Sequence, residues 1–152
     1  VMAFPSPGFR LLAIPPDGRI PDLAIPDDLA PMIELTLAFY AKAGCEPPWV
    51  SYLATSDGVA AGGGAFVGAP KHGAVEIAYF TLEARRRQGF ATRTARALVE
   101  IARRADAAVA IQAKTAPEPG ASTRILERNG FERSGFAQDD EIGEAWLWTL
   151  KA

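Results

Sequence analysis

An α+β fold, a mixed α/β/α sandwich with about seven strands in a mostly antiparallel sheet and helices on both faces, is the class this sequence predicts. Three observations carry it. Two apolar runs, "WVSYLAT" and "VAAGGGAFVG", flank "SDG" and read as a hairpin. Between residues 74 and 115 an apolar run, a helical stretch and a second apolar run follow one another, the order of a parallel crossover. Two further strand-like runs close the chain.

Prolines punctuate the first thirty residues, and "FRLLAI" (9–14) is the one strand-like run among them. "IPDDLAPMIELTLAFYAKAGC" then predicts a helix. Its aspartates suit the positive helix start, Leu29, Ile33, Leu37 and Tyr40 repeat at helical spacing, and Gly44 ends it. In the hairpin, Asp57-Gly58 supplies the positive backbone angles of a tight turn. Gly62, Gly63 and Gly64 lie inside the second strand, where glycine signals a bulge, a close neighbour or a helix packed tightly overhead. "AVEIAYFTL" (74–82) reads as a buried strand, and Gly89 to Asp106 as a helix with Ala91, Ala95, Leu98, Val99 and Ala102 inward and Arg93, Arg96, Arg103 and Arg104 outward. "AAVAIQAKT" (107–115) is a strand, and "ASTRILERNGF" (121–131) a short helix stopped at Gly130. "ERSGFAQ" and "EAWLWTL" are the last two strands, the second with Trp146 and Trp148 on one face, as core or interface.

The 152 residues suit one domain, 1–152, with 49% hydrophobic residues to fill a core and no run long enough to cross a bilayer. A net charge of −2 argues against a nucleic-acid partner. Cys45 is the single cysteine, which excludes an internal disulfide and a cysteine-rich zinc site and suits a reducing, cytoplasmic setting. The opening "VMAFPSPGF" has neither the basic end nor the apolar stretch of a secretory signal. His72 sits in the loop-like "APKHGA", where a solvated imidazole is the default, and Cys45 lacks the partners of a nucleophile.

"RRRQGFAT" (85–92) follows a strand and opens a helix. Such a turn offers unpaired backbone N–H groups and the positive end of the helix dipole, an anion site suited to phosphate. Gly89 keeps side chains away from the bound oxygens, Ala91 and Thr92 are small, and Arg85 to Arg87 add forked donors. The dinucleotide signature needs three glycines and the mononucleotide loop a Gly-Lys-Ser/Thr ending; neither is complete here.

Arg86-x-x-Gly89-x-Ala91 resembles the coenzyme A signature of the GNAT N-acetyltransferase superfamily, Arg/Gln-x-x-Gly-x-Gly/Ala. "VEIAYFTLEARRRQGFATRTARALVEIA" resembles that superfamily's central strand, turn and helix, and "AKTAPEPGASTRILERNGF" is similar to the later segment of its ribosomal-protein N-terminal acetyltransferase branch. The resemblance implies a sheet splayed between the strands at 74–82 and 107–115, with acetyl-coenzyme A in the opening. It implies that pyrophosphate lies on Arg86, Arg87, Gln88, Gly89, Phe90, Ala91 and Thr92, and that the pantetheine arm pairs with the main chain of Phe80, Thr81 and Leu82.

The implied activity is direct attack of a primary amine on the thioester, with no metal. Glu76, upstream on the strand carrying the cofactor arm, is the candidate base. Many members carry a tyrosine acid on the late helix; here that position is Leu126, which cannot donate a proton. Ser122 matches the branch's serine as a donor to the thiolate, and serine at a helix start is also a preferred cap. Pro119 stands where the pattern has asparagine. The acceptor is thus a small-molecule or peptide amine, with neither nucleic acid nor membrane as partner, and the chain a monomer or homodimer. Two other classes stay open: a non-catalytic acetyl-coenzyme A sensor or interaction module, and a nucleotide or sugar-phosphate binder using the same helix start.

Overall fold

The computed structural model describes residues 2–6 and 8–152, with side chains from residue 8 onward. Val1 and Pro7, within the segment read as carrying no secretory signal, lie outside the described residues. The strands are β1 (Met2–Ser6), β2 (Phe9–Ala13), β3 (Ser51–Ser56), β4 (Val59–Phe66), β5 (Ala74–Thr81), β6 (Ala110–Thr115), β7 (Glu132–Asp139) and β8 (Gly143–Leu150). The helices are α1 (Ala30–Ala43), α2 (Phe90–Ala105) and α3 (Ala121–Arg128). All eight strands form one sheet in the order β1-β2-β3-β4-β5-β6-β8-β7. Every adjacent pair is antiparallel except β5 with β6, which the α2 crossover joins in parallel. The proline-rich start thus contributes one strand, β1, that its sequence did not signal. It pairs along β2, where main-chain bonds demand no side-chain pattern.

Local chemistry accounts for the turns. Asp57 (φ 50°) and Gly58 (φ 81°) both have positive φ, the two-residue hairpin turn their sequence predicts, and Ser56 pairs with Val59 around it. In β4, Ala54 of β3 faces Gly62 while Thr55 faces Ala60, so Ala61 is an extra residue and a bulge precedes the three glycines. The glycines then serve two faces. A Cβ on Gly64 would lie 2.6 Å from Thr94 Cγ2 of α2, whereas one on Gly63 would lie 2.5 Å from Met32 Cε of α1. Adjacent strand residues point to opposite faces, so α1 and α2 cover opposite sides of the sheet. Both readings of the glycines, the bulge and the tight helix packing, therefore hold.

α1 meets the sheet through nearly buried Tyr40, with Ile33 and Leu37 packed against the core and fully buried Leu29 capping its start. The Tyr40 hydroxyl donates to the Ile14 carbonyl at 2.9 Å and accepts from the Ser51 amide at 3.0 Å, tying the helix to β2 and β3. α2 buries Ala95, Leu98, Ile101 and Ala102; Ala91 and Val99, also expected inward, are only half-buried. Arg103 departs from its expected outward position. Its guanidinium bonds the carbonyls of Val109, Leu150 and Lys151, clamping the end of α2 to the ends of β6 and β8. α3 ends at Arg128 in a two-bond cap: the Phe131 amide donates to the Leu126 carbonyl and Gly130 (φ 85°) to that of Glu127, with Leu126 and Phe131 both buried. Trp148 is buried and donates from Nε1 to Thr115 Oγ1 at 3.0 Å, and Trp146 lies edge-on to it beneath Arg133. These tryptophans are core. No helix among the described residues is long and apolar enough to cross a membrane.

Candidate active site

β5 and β6 pair only through Ala74, Val75 and Glu76 with Ala110, Ile111 and Gln112. Beyond that point β5 continues along β4 to Thr81, and β6 along β8 to Thr115. The two central strands therefore fork. The bulge at Ala61 sits opposite the far end of β5, where added twist turns that end away from β6. From Ile77 to Thr81, β5 has a strand neighbour on one side only, which leaves a main-chain edge facing the fork.

The open edge leads to the start of α2. Gly89 caps this helix with φ 83° and ψ 7°, and Arg87 also has positive φ at 67°. The first bond into the helix runs from the Arg93 amide to the Gly89 carbonyl. Among the described residues, none of the amides from Arg87 to Thr92 donates to a protein acceptor, and no side chain caps the end. A row of donors with no protein acceptor at the positive end of a sixteen-residue helix is chemically suited to an anion.

Two arginines brace this turn. Arg93 donates to the Gln88 carbonyl at 3.2 Å and lies over the rings of Phe90 and Phe9, and Arg85 also lies over the Phe90 ring while bonding Gln88 Oε1 at 3.4 Å. Phe90 itself is buried, so the turn is anchored from below by its own aromatic residue. Arg86 and Arg87 are exposed, and their side chains make no hydrogen bond or ion pair among the described residues.

An open cleft of about 750 Å³ joins these parts. Tyr79, Phe80 and Thr81 form one wall, the turn and the first residues of α2 the floor, and α3 the opposite wall through Ser122, Arg124, Ile125 and Arg128. Among the described residues, the charged side chains that line it are arginines: Arg85, Arg86, Arg87, Arg124 and Arg128. A larger cavity of about 1140 Å³ lies between β2 and the loop at 15–23. It is lined mainly by proline and aliphatic residues and holds half-buried Cys45, and it has neither a helix start nor the fork.

Most sequence-predicted residues converge there: Phe80, Thr81, Arg86, Arg87, Gly89, Phe90, Ala91, Thr92 and Ser122 line the cleft. Three do not. Leu82 is turned back into the protein, its amide donating to the Ala61 carbonyl at 2.9 Å and its carbonyl accepting from Arg85 at 2.8 Å, so its main chain is engaged. Gln88 spans the turn from behind as the acceptor for Arg85 and Arg93. Glu76 stands at the base of the fork, on the α1 face of the sheet, with its Oε1 3.4 Å from Lys114 Nζ.

Ser122 is not the helix cap. Gly120 holds that position, and Thr123 Oγ1 makes the local bonds, accepting from the Gly120 amide and donating to its carbonyl at 2.9 Å each. The Ser122 hydroxyl is exposed in the cleft with no capping bond. Leu126 is fully buried under α3. His72 is exposed in its loop at φ 52°. The residues that sequence reasoning missed are Tyr79, Arg124, Ile125, Arg128 and Lys114. Arg124 and Arg128 had a signal, since a four-residue spacing puts them on one side of a helix; Lys114 acquires meaning only from its position across the fork. Burial holds the Tyr79 phenol well above its ordinary value of 10.0, so it lines the cleft as a neutral hydroxyl.

A mixed sheet that forks beside the start of a central helix defines the class as an α+β sandwich with an open central cleft. The acetyltransferase (GNAT) domain family matches residues 20–132, most of the chain, and this protein belongs to that family. Among solved structures, the chain is similar to RimL, a ribosomal L7/L12 alpha-N-protein acetyltransferase in complex with coenzyme A, at 14% identity, covering 96% of this chain and 95% of that one with a TM-score of 0.70. A GNAT-family acetyltransferase from Bacillus anthracis matches at 13% identity, 99% and 98% coverage and a TM-score of 0.68. An aminoglycoside acetyltransferase AAC(6')-Ib with coenzyme A matches at 24% identity and a TM-score of 0.56, over 67% of this chain; the match spans 65% of that enzyme's length. At these identities the likeness speaks for the fold. No curated protein sequence matches significantly.

Proposed function

We propose that this protein transfers the acetyl group of acetyl-coenzyme A to a primary amine by direct attack. The observation that carries the reading is the continuity between the amides of Arg87 to Thr92, which have no protein acceptor, and the unpaired edge of β5. A diphosphate on the helix start directs the pantetheine arm along Phe80 and Thr81, where main-chain pairing holds an extended arm whatever the side chains are. The thioester then reaches the fork near Glu76.

In the reaction the amine nitrogen bonds to the thioester carbonyl carbon, the C–S bond breaks, and the departing sulfur takes a proton. Glu76 accepts the ammonium proton of the acceptor, which approaches from the α1 face. Entry of that ammonium group exchanges one cation, Lys114, for another beside the same carboxylate. Ser122, freed from capping by Thr123, supplies a hydroxyl to the thiolate or the carbonyl oxygen. The fold relatives include enzymes named for an aminoglycoside and for a ribosomal-protein N-terminus, so peptide N-termini, polyamines and small amines are the acceptors to test. The lone cysteine suits a cytoplasmic setting for this reaction.

A second reading, an acetyl-coenzyme A-binding module without turnover, draws on buried Leu126 in place of an acid and on the ion pair that occupies Glu76. Calorimetric titration with coenzyme A, followed by thiol release from acetyl-coenzyme A across an amine panel, separates the two. Tight binding with amine-dependent thiol release that Glu76→Gln strongly lowers is the expected result. Binding with no release for any amine supports the module instead, and failure of coenzyme A to bind overturns both.

A further inference from the structure

The charge in the cleft exceeds what a diphosphate at the helix start requires. The amides from Arg87 to Thr92 and the helix dipole already provide a complete anion seat, and Arg86 and Arg87 stand on the same turn. Two more arginines face that seat from the opposite wall, and the cleft lining contains no carboxylate to neutralise them. Arg124 and Arg128 are exposed, four residues apart on α3, about 6 Å along the helix axis. Neither side chain makes a hydrogen bond or ion pair among the described residues.

The docking of α3 fixes where these two charges stand. The Asn129 side chain donates to the Ile125 carbonyl at 3.0 Å and reaches the Thr92 carbonyl at 3.5 Å, which ties the end of α3 to the first turn of α2. Arg128, next to Asn129 in the chain, therefore flanks the diphosphate seat, and Arg124 lies one turn further along the same wall. A pair of forked, always-charged donors on the wall beside that seat matches a second, separate phosphate dianion.

We infer that Arg124 and Arg128 form a subsite for the 3′-phosphate of coenzyme A, so that this protein selects the 3′-phosphorylated cofactor over its dephospho form. The inference rests on the proposed use of the cleft for coenzyme A. The ribose that carries this phosphate is joined directly to the diphosphate, so a wall beside the seat is within its reach. α3 is thus a selectivity element as well as the carrier of Ser122.

The test compares coenzyme A with 3′-dephospho-coenzyme A by calorimetric titration, in the parent protein and in the Arg124→Gln/Arg128→Gln double variant. Glutamine keeps helix propensity, and thermal unfolding checks that the variant is folded. The parent is expected to prefer coenzyme A by roughly tenfold to a hundredfold, the scale of one or two charge-assisted contacts. The double variant should lose that preference while binding dephospho-coenzyme A as the parent does. A folded variant that keeps the preference overturns the subsite, as does a parent with no preference. Equal weakening of both ligands would show the arginines acting on the diphosphate, which also overturns it. A parent that binds neither ligand refutes the coenzyme A reading itself, a result distinct from loss of selectivity.

Discussion

Gly89→Val concentrates the anion-site reasoning into one substitution. Gly89 has φ 83° and ψ 7°, the left-handed region, where an L-residue costs about 1–2 kcal/mol and a β-branched one at least that. Space is not the obstacle, since a Cβ there would lie 3.4 Å from Arg93 Nη2, the tip of a flexible side chain. The valine variant can keep the turn under strain, and its melting temperature then falls by about 2–8 °C for a domain of this size. Alternatively the turn leaves the left-handed region, and the amides after it no longer converge. Losing two amide bonds to a phosphate, at about 1.5–3 kcal/mol each, weakens binding by about 10²- to 10⁴-fold. Calorimetric titration with coenzyme A, alongside circular dichroism melting, reads both effects. A folded Gly89→Val protein that binds coenzyme A within about threefold of the parent would refute the assignment of the diphosphate to this turn.

Other outcomes follow from the same geometry. Thr123→Ala removes both bonds to Gly120 and should cost about 1 kcal/mol of stability in urea unfolding, whereas Ser122→Ala should change it by less than about 0.5 kcal/mol yet slow acetyl transfer. Equal stability losses would return Ser122 to a structural role. Gly64→Ala places a methyl 2.6 Å from Thr94 Cγ2 and 3.0 Å from Leu98 Cδ1, so about 1–3 kcal/mol of destabilisation is expected, measured by thermal melting. An unchanged melting temperature would mean that α2 does not bear on β4 there. Burial raises the phenols of Tyr40, Tyr52 and Tyr79 above their ordinary 10.0. Above about pH 10 the unfolded chain therefore releases protons that the folded chain retains, and stability falls as pH rises, by up to about 1.4 kcal/mol per pH unit for each phenol. Tyr79→Phe should flatten that decline in urea midpoints between pH 9 and 11.5; parallel curves for the two proteins would contradict it.

Features whose cause is local were legible in the chain. Asp57-Gly58 specifies its turn because the required backbone angles belong to those two residues, and Gly130 ends α3 for the same reason. The Arg86-x-x-Gly89-x-Ala91 run was legible as an anion turn because its donors are main-chain groups of consecutive residues. β1 was hidden in the proline-punctuated start, since its pairing along β2 depends on main chain rather than on an alternating pattern.

Where separate segments meet, the sequence alone was insufficient. Ser122 and Thr123 are adjacent hydroxyl residues, and only the placement of Gly120 as the cap assigns the capping bonds to Thr123 and leaves Ser122 facing the cleft. Leu82 follows Thr81 directly, yet the bulge at Ala61 draws its amide away from the fork. Glu76 gains Lys114 from a strand thirty-odd residues later, and Arg124 and Arg128 gain their place because Asn129 moors α3 to α2. The amino-acid order by itself determined the strands that carry a side-chain pattern, the helices and the glycine turn that opens α2, since propensity and backbone angles act over a few residues. Tertiary structure alone decided where β5 and β6 part and which charges border the opening, since both depend on packing between elements far apart in the chain.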